Sequence, residues 1–577
     1  MYNSIDLKIT KYKILSELIL KNIKIVLIAI LIIIISNLIN IFIPLITKNI
    51  IDNSIKNKDL SSFYNQIFKL LLLIIIYSFI NFIDIYVNES LGQNILFSLK
   101  KKVFDHLIYL PSSYFDKTPV GKFISRIESD GEAVRVFITN SVLLILNDII
   151  LFTGMIIIMS KNSIYLTLIM FSVVLLLALF SIWYRNRIYP IWKKFRIFFS
   201  KMTGVISDII KGANIIRIFN LEPWGIKKVN EELKKIFILG KKGDFIDSLY
   251  FNSLWIFESL AITLIIWITV FKPQIVKVSF SVGLLFLFIS YIKQFFGPIR
   301  NLTQQFQEVQ KAFASLSRIE EILNNEKECF SGVEIKNFNQ KIVFDKVSFS
   351  YDNKKQVLKD ISFEINKGEK VALVGRTGSG KTTIISLLLR LYDGYEGSIK
   401  IDGIELKDIS KKSLRSLFST VFQDIFLFED TIRNNITIGK DLNDDYLFKY
   451  LKKIGIDDFF KRFPEKFSTL IGNDSTNIST GEKQLISIVR AYLRECEILI
   501  FDEATASIDK NTEDIIYKSL DKFSKNKTTI LIAHKLSTIK NADKIIVFYK
   551  GKVVETGKFD ELLQKNGYFA ELVNVKI

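Results

Sequence analysis

The chain has 577 residues, of which 49% are hydrophobic, so it is long enough for several domains and too apolar to be disordered. Its formal net charge is +19, but most of the excess lies between long apolar segments in the first 320 residues, which argues against a nucleic-acid-binding surface. The two cysteines, Cys329 and Cys496, lack the spacing of zinc or iron–sulfur ligands, and no structural disulfide is expected.

Six long apolar runs occupy the first 300 residues and then stop. They lie at about 23–45, 67–87, 142–159, 164–184, 249–271 and 278–296. Each approaches the roughly 20 residues that a helix needs to cross a bilayer. Six such runs favour membrane spans over buried helices of a soluble protein, and the first is too long for a secretory signal. The segment 6–20, before the first run, has the amphipathic pattern of a helix on the membrane surface.

The two longest connections between the runs, 88–140 and 185–248, are rich in lysine and arginine. Because cytoplasmic loops carry an excess of positive charge, both connections and the N-terminus are predicted to be cytoplasmic. Periodic apolar residues predict helices at 90–110 and 202–239, so the spans are expected to continue into the cytoplasm as long helices. Small turning elements are expected at the tips, near 111–130 and 212–220.

The pattern changes after the sixth run. A helical segment at 301–323 leads to a polar linker at 324–340, and short β-type runs then alternate with helical ones. Such alternation is typical of an α/β domain. The sequence therefore predicts a transmembrane domain at 1–323, a linker at 324–340 and an α/β domain at 341–577.

A phosphate-binding loop lies early in the α/β domain, between an apolar strand and a helical run. Its sequence satisfies the G-x-x-x-x-G-K-[ST] pattern, in which glycines let the backbone wrap a phosphate and the helix N-terminus holds the anion. Lys381 supplies a charge for the β- and γ-phosphates, and Thr382 supplies a hydroxyl for Mg²⁺. The predicted binding residues are Gly375, Arg376, Thr377, Gly378, Ser379, Gly380, Lys381, Thr382 and Thr383.

Later strands end in residues that suit ATP hydrolysis. Asp502 and Glu503 close an apolar strand, where Asp502 is predicted to hold Mg²⁺ and Glu503 to act as general base on the attacking water. Gln423 is expected to contact Mg²⁺ and that water. His534, one of only two histidines, ends another strand, where a contact to the γ-phosphate is needed.

Two further segments suit nucleotide binding. Tyr351, on a strand before the loop, could stack on adenine, although a tyrosine there could also be a core or surface residue. Ser479 and Gly481 open a helix whose N-terminus can present amides to a phosphate.

In their order along the chain, these motifs resemble those of ATP-binding-cassette (ABC) exporters of the half-transporter kind. Within that family they resemble multidrug or lipid exporters. The resemblance covers nearly the whole chain. It implies an α-helical six-span transmembrane domain with long cytoplasmic helix extensions, fused to an α/β P-loop ATPase domain of ABC type. It implies that 375–383 is Walker A, Tyr351 the A-loop aromatic, Gln423 the Q-loop, Asp502 and Glu503 Walker B, 506–509 the D-loop, His534 the switch histidine, and the two tips the coupling helices.

The resemblance also implies function and partners. Nucleotide domains of this family work as head-to-tail pairs, with ATP between the Walker A motif of one and the signature of the other. The implied activity is ATP-driven export of a hydrophobic or amphipathic drug, lipid or peptide across the cell membrane, with ATP and Mg²⁺. The expected partners are a second half-transporter, the lipid bilayer and the substrate, but no nucleic acid. The nucleotide domain is expected to be cytoplasmic.

The chain departs from the family in its signature, which is usually Leu-Ser-Gly-Gly-Gln and here reads Ile-Ser-Thr-Gly-Glu over 478–482. Thr480 adds a side chain where backbone should approach phosphate, and Glu482 adds negative charge near a polyanion. Such a mixture resembles one half of a heterodimer in which one site hydrolyses ATP and the other mainly holds it. A homodimer that tolerates the variant remains the alternative.

Other functions stay open at this point. A regulatory membrane subunit that binds ATP as a ligand is the main alternative, although Glu503 favours turnover. Four charged residues lie in or beside the spans: Asp84, Asp148, Glu258 and Lys293. Asp148 and Glu258 are the deepest and could attract a cationic amphiphile, whereas pairing between helices would give them a structural role.

Overall fold

The computed structural model describes residues 2–271, 281–352, 355–461, 463, 465–472, 478–502, 510–532 and 539–574. The chain divides into two compact units. One comprises residues 1–108 and 120–325, and the other comprises residues 109–119 and 326–577.

The described residues between 2 and 325 are almost entirely helical, in long helices with short ones between them. Their bounds are α1 Tyr2–Lys21, α2 Ile23–Asn49, α3 Leu60–Leu107, α4 Ser112–Lys117, α5 Val120–Ser125, α6 Gly131–Val136, α7 Leu143–Asn162, α8 Ile164–Lys211, α9 Ala213–Ile218, α10 Glu222–Phe271 and α11 Val282–Leu323, with π-helical turns at Ile50–Ile55, Arg126–Asp130 and Phe137–Val142. The π-helical turns make α2 continuous to Ile55 and join α5, α6 and α7 into one helical stretch.

Six of these stretches are long and apolar enough to cross a membrane, which confirms the six predicted spans. They are Ile23–Ile55, Leu60–Leu107, Val120–Asn162, Ile164–Lys211, Glu222–Phe271 and Val282–Ile299. A helix of 48 residues, such as α3, is roughly 72 Å long at 1.5 Å per residue, whereas the hydrocarbon core of a bilayer is about 30 Å thick. The helices therefore extend well beyond the bilayer, as the sequence predicts.

The predicted helix at 202–239 is wrong as a single element. Helix α8 ends at Lys211, the short α9 follows, and α10 begins at Glu222. The last turn of α8 closes through a hydrogen bond from the Gly212 amide to the Asp208 carbonyl (2.9 Å). Both breaks fall at the tip that was predicted near 212–220. The apolar periodicity of the sequence continues through them although the backbone turns.

The core of the first unit contains contacts between helices that are far apart in the sequence. The buried Tyr291 hydroxyl on α11 donates to the Ile41 carbonyl on α2 (2.7 Å). Helices α8 and α10 pack through the stacked rings of Tyr184 and Tyr250, whose centroids are 3.9 Å apart. Satisfying a hydroxyl in this way matters because bilayer hydrocarbon offers no alternative partner.

The second unit contains two sheets with helices around them. The strands are β1 Lys341–Phe349, β2 Leu358–Asn366, β3 Lys370–Val374, β4 Glu396–Ile401, β5 Ile404–Glu405, β6 Phe418–Val421, β7 Ile498–Asp502, β8 Thr528–Ile532, β9 Lys544–Tyr549 and β10 Lys552–Gly557. The helices are α12 Lys381–Leu388, α13 Lys411–Leu417, α14 Ile432–Thr437, α15 Asp444–Ile454, α16 Asp457–Lys461, α17 Thr480–Tyr492, α18 Lys510–Ser524, α19 Phe559–Gln564 and α20 Tyr568–Asn574. Short 3₁₀ turns lie at Leu406–Asp408 and Lys466–Ser468.

The larger sheet has the order β10-β9-β3-β8-β7-β6, and the smaller one has the order β2-β1-β4-β5. Strands β9, β3, β8, β7 and β6 are parallel to one another, so their carboxyl ends meet at one edge, whereas β10 pairs antiparallel with β9. Strand β7 is buried at every position, as expected for a strand that is covered on both faces. Ligands of such sheets bind at the carboxyl edge.

Candidate functional site

The phosphate-binding loop connects β3 to α12 at the carboxyl edge of the larger sheet. Gly380 precedes the helix with a φ of +107°, and a Cβ there would lie 2.6 Å from Leu358 Cδ2. A Cβ on Gly375 would lie 2.4 Å from the Phe548 carbonyl oxygen. Both positions therefore require glycine, which allows the loop to turn tightly beneath the helix N-terminus.

Lys381 begins α12 and folds back over the loop. Its ammonium group donates to the Gly375 carbonyl (2.7 Å) and the Arg376 carbonyl (3.2 Å), and its side chain is buried. Burial lowers the pKa of Lys381, and nearby Asp502 opposes the shift. A buried cation at a helix N-terminus that also exposes free amides is suited to a polyanion.

Ser379 provides a further indication of a ligand. Its side chain is only 5% exposed, and within the described residues its hydroxyl has no hydrogen-bond partner. An unsatisfied buried hydroxyl is costly in a folded protein. A phosphate oxygen held by the loop would satisfy it, so the residues present fit the anion that the sequence predicts.

The acidic side of the site is the end of β7. Asp502 is 5% exposed, and burial raises its pKa to about 6, with Lys381 opposing the rise and Asp424 adding to it. Asp424 and Gln423 follow β6, the strand next to β7. The hydroxyl of Thr382 on the first turn of α12 and the oxygens of Asp502 and Gln423 are hard donors of the kind that Mg²⁺ prefers.

Tyr351 lies over the first turn of α12. Its hydroxyl donates to Thr383 Oγ1 (3.1 Å), and its ring is 43% exposed, which leaves a face available to a planar base. The ring also makes an edge contact with Tyr392, with 4.9 Å between centroids, and the Tyr392 hydroxyl donates to Asp116 on α4. The predicted adenine contact is thus linked through one side chain to the first predicted coupling helix.

The signature lies at the start of α17, which packs on α14, α18 and β6. Ser479 is the N-cap residue, and its hydroxyl accepts from the Glu482 amide (3.3 Å), while the Glu482 carboxylate accepts from the Ser479 amide (2.8 Å). This capping box holds the negatively charged Glu482 carboxylate at the helix N-terminus. Gly481 is buried behind it, whereas Ser479 and Thr480 are exposed.

The structure therefore brings Lys381, Asp502 and the segment around Gln423 to one edge of the larger sheet. It places Tyr351, two residues beyond the end of β1, against the first turn of α12, and it puts the signature on a separate helix. Glu503, His534 and the predicted D-loop at 506–509 lie outside the described residues. The role of Glu482 as a cap was missed. The signal was present, because Ser479 followed three residues later by glutamate is the sequence pattern of a capping box.

Comparisons with known proteins match both halves of the chain. The family described as "ABC transporter transmembrane region" matches residues 26–299, and the family described as "ABC transporter" matches residues 358–506.

Similar full-length proteins cover nearly the whole chain. An uncharacterized ABC transporter ATP-binding protein of Bacillus subtilis, YknV, is 32% identical over 85% of this chain and 81% of its own length. An ATP-dependent lipid A-core flippase of Desulfotalea psychrophila is 30% identical over 92% of this chain and 93% of its own. A solved structure of a bacterial Atm1-family ABC exporter with ATP bound has the same fold, with a TM-score of 0.76 at 24% identity over 96% of this chain and 98% of that one.

Proposed function

The chain belongs to the ABC transporter family, as an exporter with its membrane and ATP-binding regions fused in one polypeptide, and from that premise we propose that it exports an amphipathic substrate as one half of a heterodimer. It is a multi-pass membrane protein with a cytoplasmic nucleotide domain, and its transport is coupled to ATP hydrolysis. The observation that carries the proposal is the buried pair Lys381 and Asp502 at the edge of a sheet in the same chain as six spans.

In the proposed site, the loop 375–383 holds the phosphates of ATP and Tyr351 stacks on the adenine. The Lys381 ammonium group then exchanges its two carbonyl acceptors for β- and γ-phosphate oxygens. Bound Mg²⁺ would neutralise charge on those oxygens, held by Thr382, Gln423 and Asp502.

Two residues outside the described ranges complete the proposal. Glu503 takes a proton from the attacking water, and His534 contacts the γ-phosphate. Since the hydrolytic residues of this chain match the family pattern, its Walker motifs belong to the site that turns over.

The signature supports the heterodimer. In a head-to-tail pair, the N-terminus of α17 faces the γ-phosphate of ATP bound to the other chain. Glu482 accepts a hydrogen bond at that N-terminus, so its charge opposes the polyanion, and Thr480 adds an exposed side chain beside it. A partner with a complete signature would serve the Walker motifs of this chain, whereas this signature would face the weaker site.

The substrate class is proposed from the relatives. One is named an ATP-dependent lipid A-core flippase, and lipids in general are amphiphiles with a polar head and apolar chains. Helices α2, α8 and α10 likewise combine long apolar stretches with buried polar side chains, namely Asn37, Thr167 and Glu258, and we extend the class of amphiphiles, not that particular lipid, to this chain.

The proposal predicts low ATP hydrolysis by the isolated chain. Purified alone and reconstituted in lipid, it should release phosphate at least about tenfold more slowly than when it is co-purified with a half-transporter that has the full Leu-Ser-Gly-Gly-Gln signature. A matched control is the same partner with its signature serine replaced, which should return the rate to that of the isolated chain. Fast turnover by the isolated chain, stimulated by amphiphiles, would contradict the heterodimer.

A further inference from the structure

A polar cavity lies inside the membrane-spanning region of the first unit. Its volume is about 210 Å³, and it is bounded by α2, α3 and the π-helical turn and α7 of the third span. Aliphatic residues close part of the wall. The polar lining consists mainly of Asn37, Asn40, Asn81, Asp84, Asn88 and Asn147. Polar groups at this depth are expensive and commonly functional.

The polar residues follow helical spacing. On α3, Tyr77, Asn81, Asp84 and Asn88 lie at intervals of four, three and four residues, so they form one stripe. On α2, Asn37 donates to Asn147 Oδ1 on α7 (3.0 Å), which joins the two helices beside the cavity. The stripe thus lines the cavity together with residues of α2 and α7.

One acceptor in the cavity wall has no donor among the described residues, and the one carboxylate there has no cationic partner among them. Asn88 donates its amide N–H to Asp84 Oδ1 (3.2 Å), and this orientation leaves Asn88 Oδ1 buried without a partner in the described part of the chain. Asp84 forms no salt bridge within the described residues, and no lysine, arginine or histidine is among the residues that line the cavity. A carboxylate in this setting requires either a proton or a cation.

A primary ammonium group matches these features. It provides one positive charge for Asp84 and three N–H donors, of which one can satisfy Asn88 Oδ1 and others the neighbouring amide oxygens. A quaternary ammonium provides the charge without N–H donors, and an alcohol provides a single donor without charge. The volume suits a compact head group, with the apolar chain left among the helices.

We propose that this cavity recognises the primary ammonium head group of the exported amphiphile, with Asp84 as counter-ion and Asn88 as hydrogen-bond acceptor. This inference rests on the proposed export function. It differs from the expectation that Asp148 and Glu258 are the attracting charges, because Asp84 is the carboxylate on the cavity wall. Asp148 is not among the residues that line the cavity and has polar contacts with Asn147 (3.5 Å) and Gln305, and Glu258 is buried elsewhere, on α10.

The test is equilibrium dialysis of radiolabelled dodecylammonium against the full-length chain in phosphatidylcholine nanodiscs, without nucleotide and with empty nanodiscs subtracted. Wild-type protein should bind dodecylammonium at least about tenfold more tightly than dodecyltrimethylammonium or dodecanol. Asp84→Asn should weaken dodecylammonium binding by at least about tenfold, whereas the matched control Asp148→Asn should change it by less than about threefold. Equal binding of the three probes, or equal losses in the two variants, would overturn the proposal.

A second variant covers the case in which Asp84→Asn does not fold. Asn88→Ala keeps the charge and removes the unpartnered acceptor, so it should bring dodecylammonium affinity close to that of dodecyltrimethylammonium. Undiminished preference for the primary amine in Asn88→Ala would contradict the proposal. Because binding is measured without ATP, a failure of ATP-driven export would not change these results, and a failure of the site would leave ATP hydrolysis intact.

Discussion

Replacing Glu503 by glutamine is expected to lower the rate of ATP hydrolysis by about 100- to 1,000-fold and to leave ATP affinity within about twofold. Glutamine has nearly the size of glutamate but cannot take the proton of the attacking water. The phosphate contacts of Lys381 and the loop 375–383 are unchanged by the substitution. The variant should therefore bind ATP normally and hold it.

The measurement is phosphate release at saturating Mg-ATP by the chain assembled with its partner, together with equilibrium binding of a fluorescent ATP analogue. Glu495→Gln is a matched control, because Glu495 is an exposed carboxylate just before β7. Its turnover should stay within about twofold of wild type. Near-normal turnover in Glu503→Gln would remove the general-base role. If the wild-type assembly bound ATP without releasing phosphate, the regulatory-subunit alternative would replace the transporter.

Replacing Lys381 by alanine is expected to weaken ATP binding itself, by about 10- to 100-fold. Hydrogen bonds between charged groups contribute roughly 1.5–3 kcal/mol, and each 1.4 kcal/mol corresponds to a tenfold change in affinity. The Lys381 side chain is buried at the loop, so water screens its attraction to phosphate only weakly. Turnover falls as a consequence of lost binding, which distinguishes this variant from Glu503→Gln.

Equilibrium binding of the same fluorescent analogue provides the test, with Lys412→Ala as control, because Lys412 is exposed on α13. The control should bind like wild type. Thermal unfolding should show that Lys381→Ala remains folded. An ATP affinity unchanged by the loss of Lys381 would contradict the assignment of the phosphate-binding loop.

Features encoded in consecutive residues could be predicted from the sequence. The phosphate-binding loop follows β3 and precedes α12 as its pattern requires, and the six apolar runs became six long helices. A turning tip was correctly predicted within 202–239, but the end of helix α8 at Lys211 was not predicted. Apolar periodicity continues through Gly212 although the backbone does not, because periodicity records which face is buried and not whether the chain turns.

Features that depend on residues far apart in sequence could not be predicted. The hydrogen bond between Tyr392 and Asp116 joins positions 276 residues apart, and neither has a local pattern that indicates the other. The polar cavity is an intermediate case. The spacing of Asn81, Asp84 and Asn88 was visible, but the wall opposite that stripe comes from Asn37 and Asn147 on other spans. Depth within a span indicated Asp148 and Glu258, whereas the carboxylate on the wall of this cavity is Asp84.

In the proposed heterodimer, this chain carries the hydrolytic residues of one ATP site and a weakened signature for the other. The double substitution Thr480→Gly with Glu482→Gln tests this division of roles. Glutamine retains the capping box with Ser479 while it removes the charge from the N-terminus of α17. The helix should therefore stay capped, and only the ability of its N-terminus to bind phosphate should change.

The decisive measurement is phosphate release by the isolated chain and by the heterodimer, each with and without this double substitution. We expect a gain of about tenfold or more in the isolated chain, where both sites combine the repaired signature with Glu503. We expect a smaller gain in the heterodimer, where the repaired signature faces the partner's weaker site. An equal or larger gain in the heterodimer would show that the hydrolytic and weakened sites have been assigned to the wrong chains.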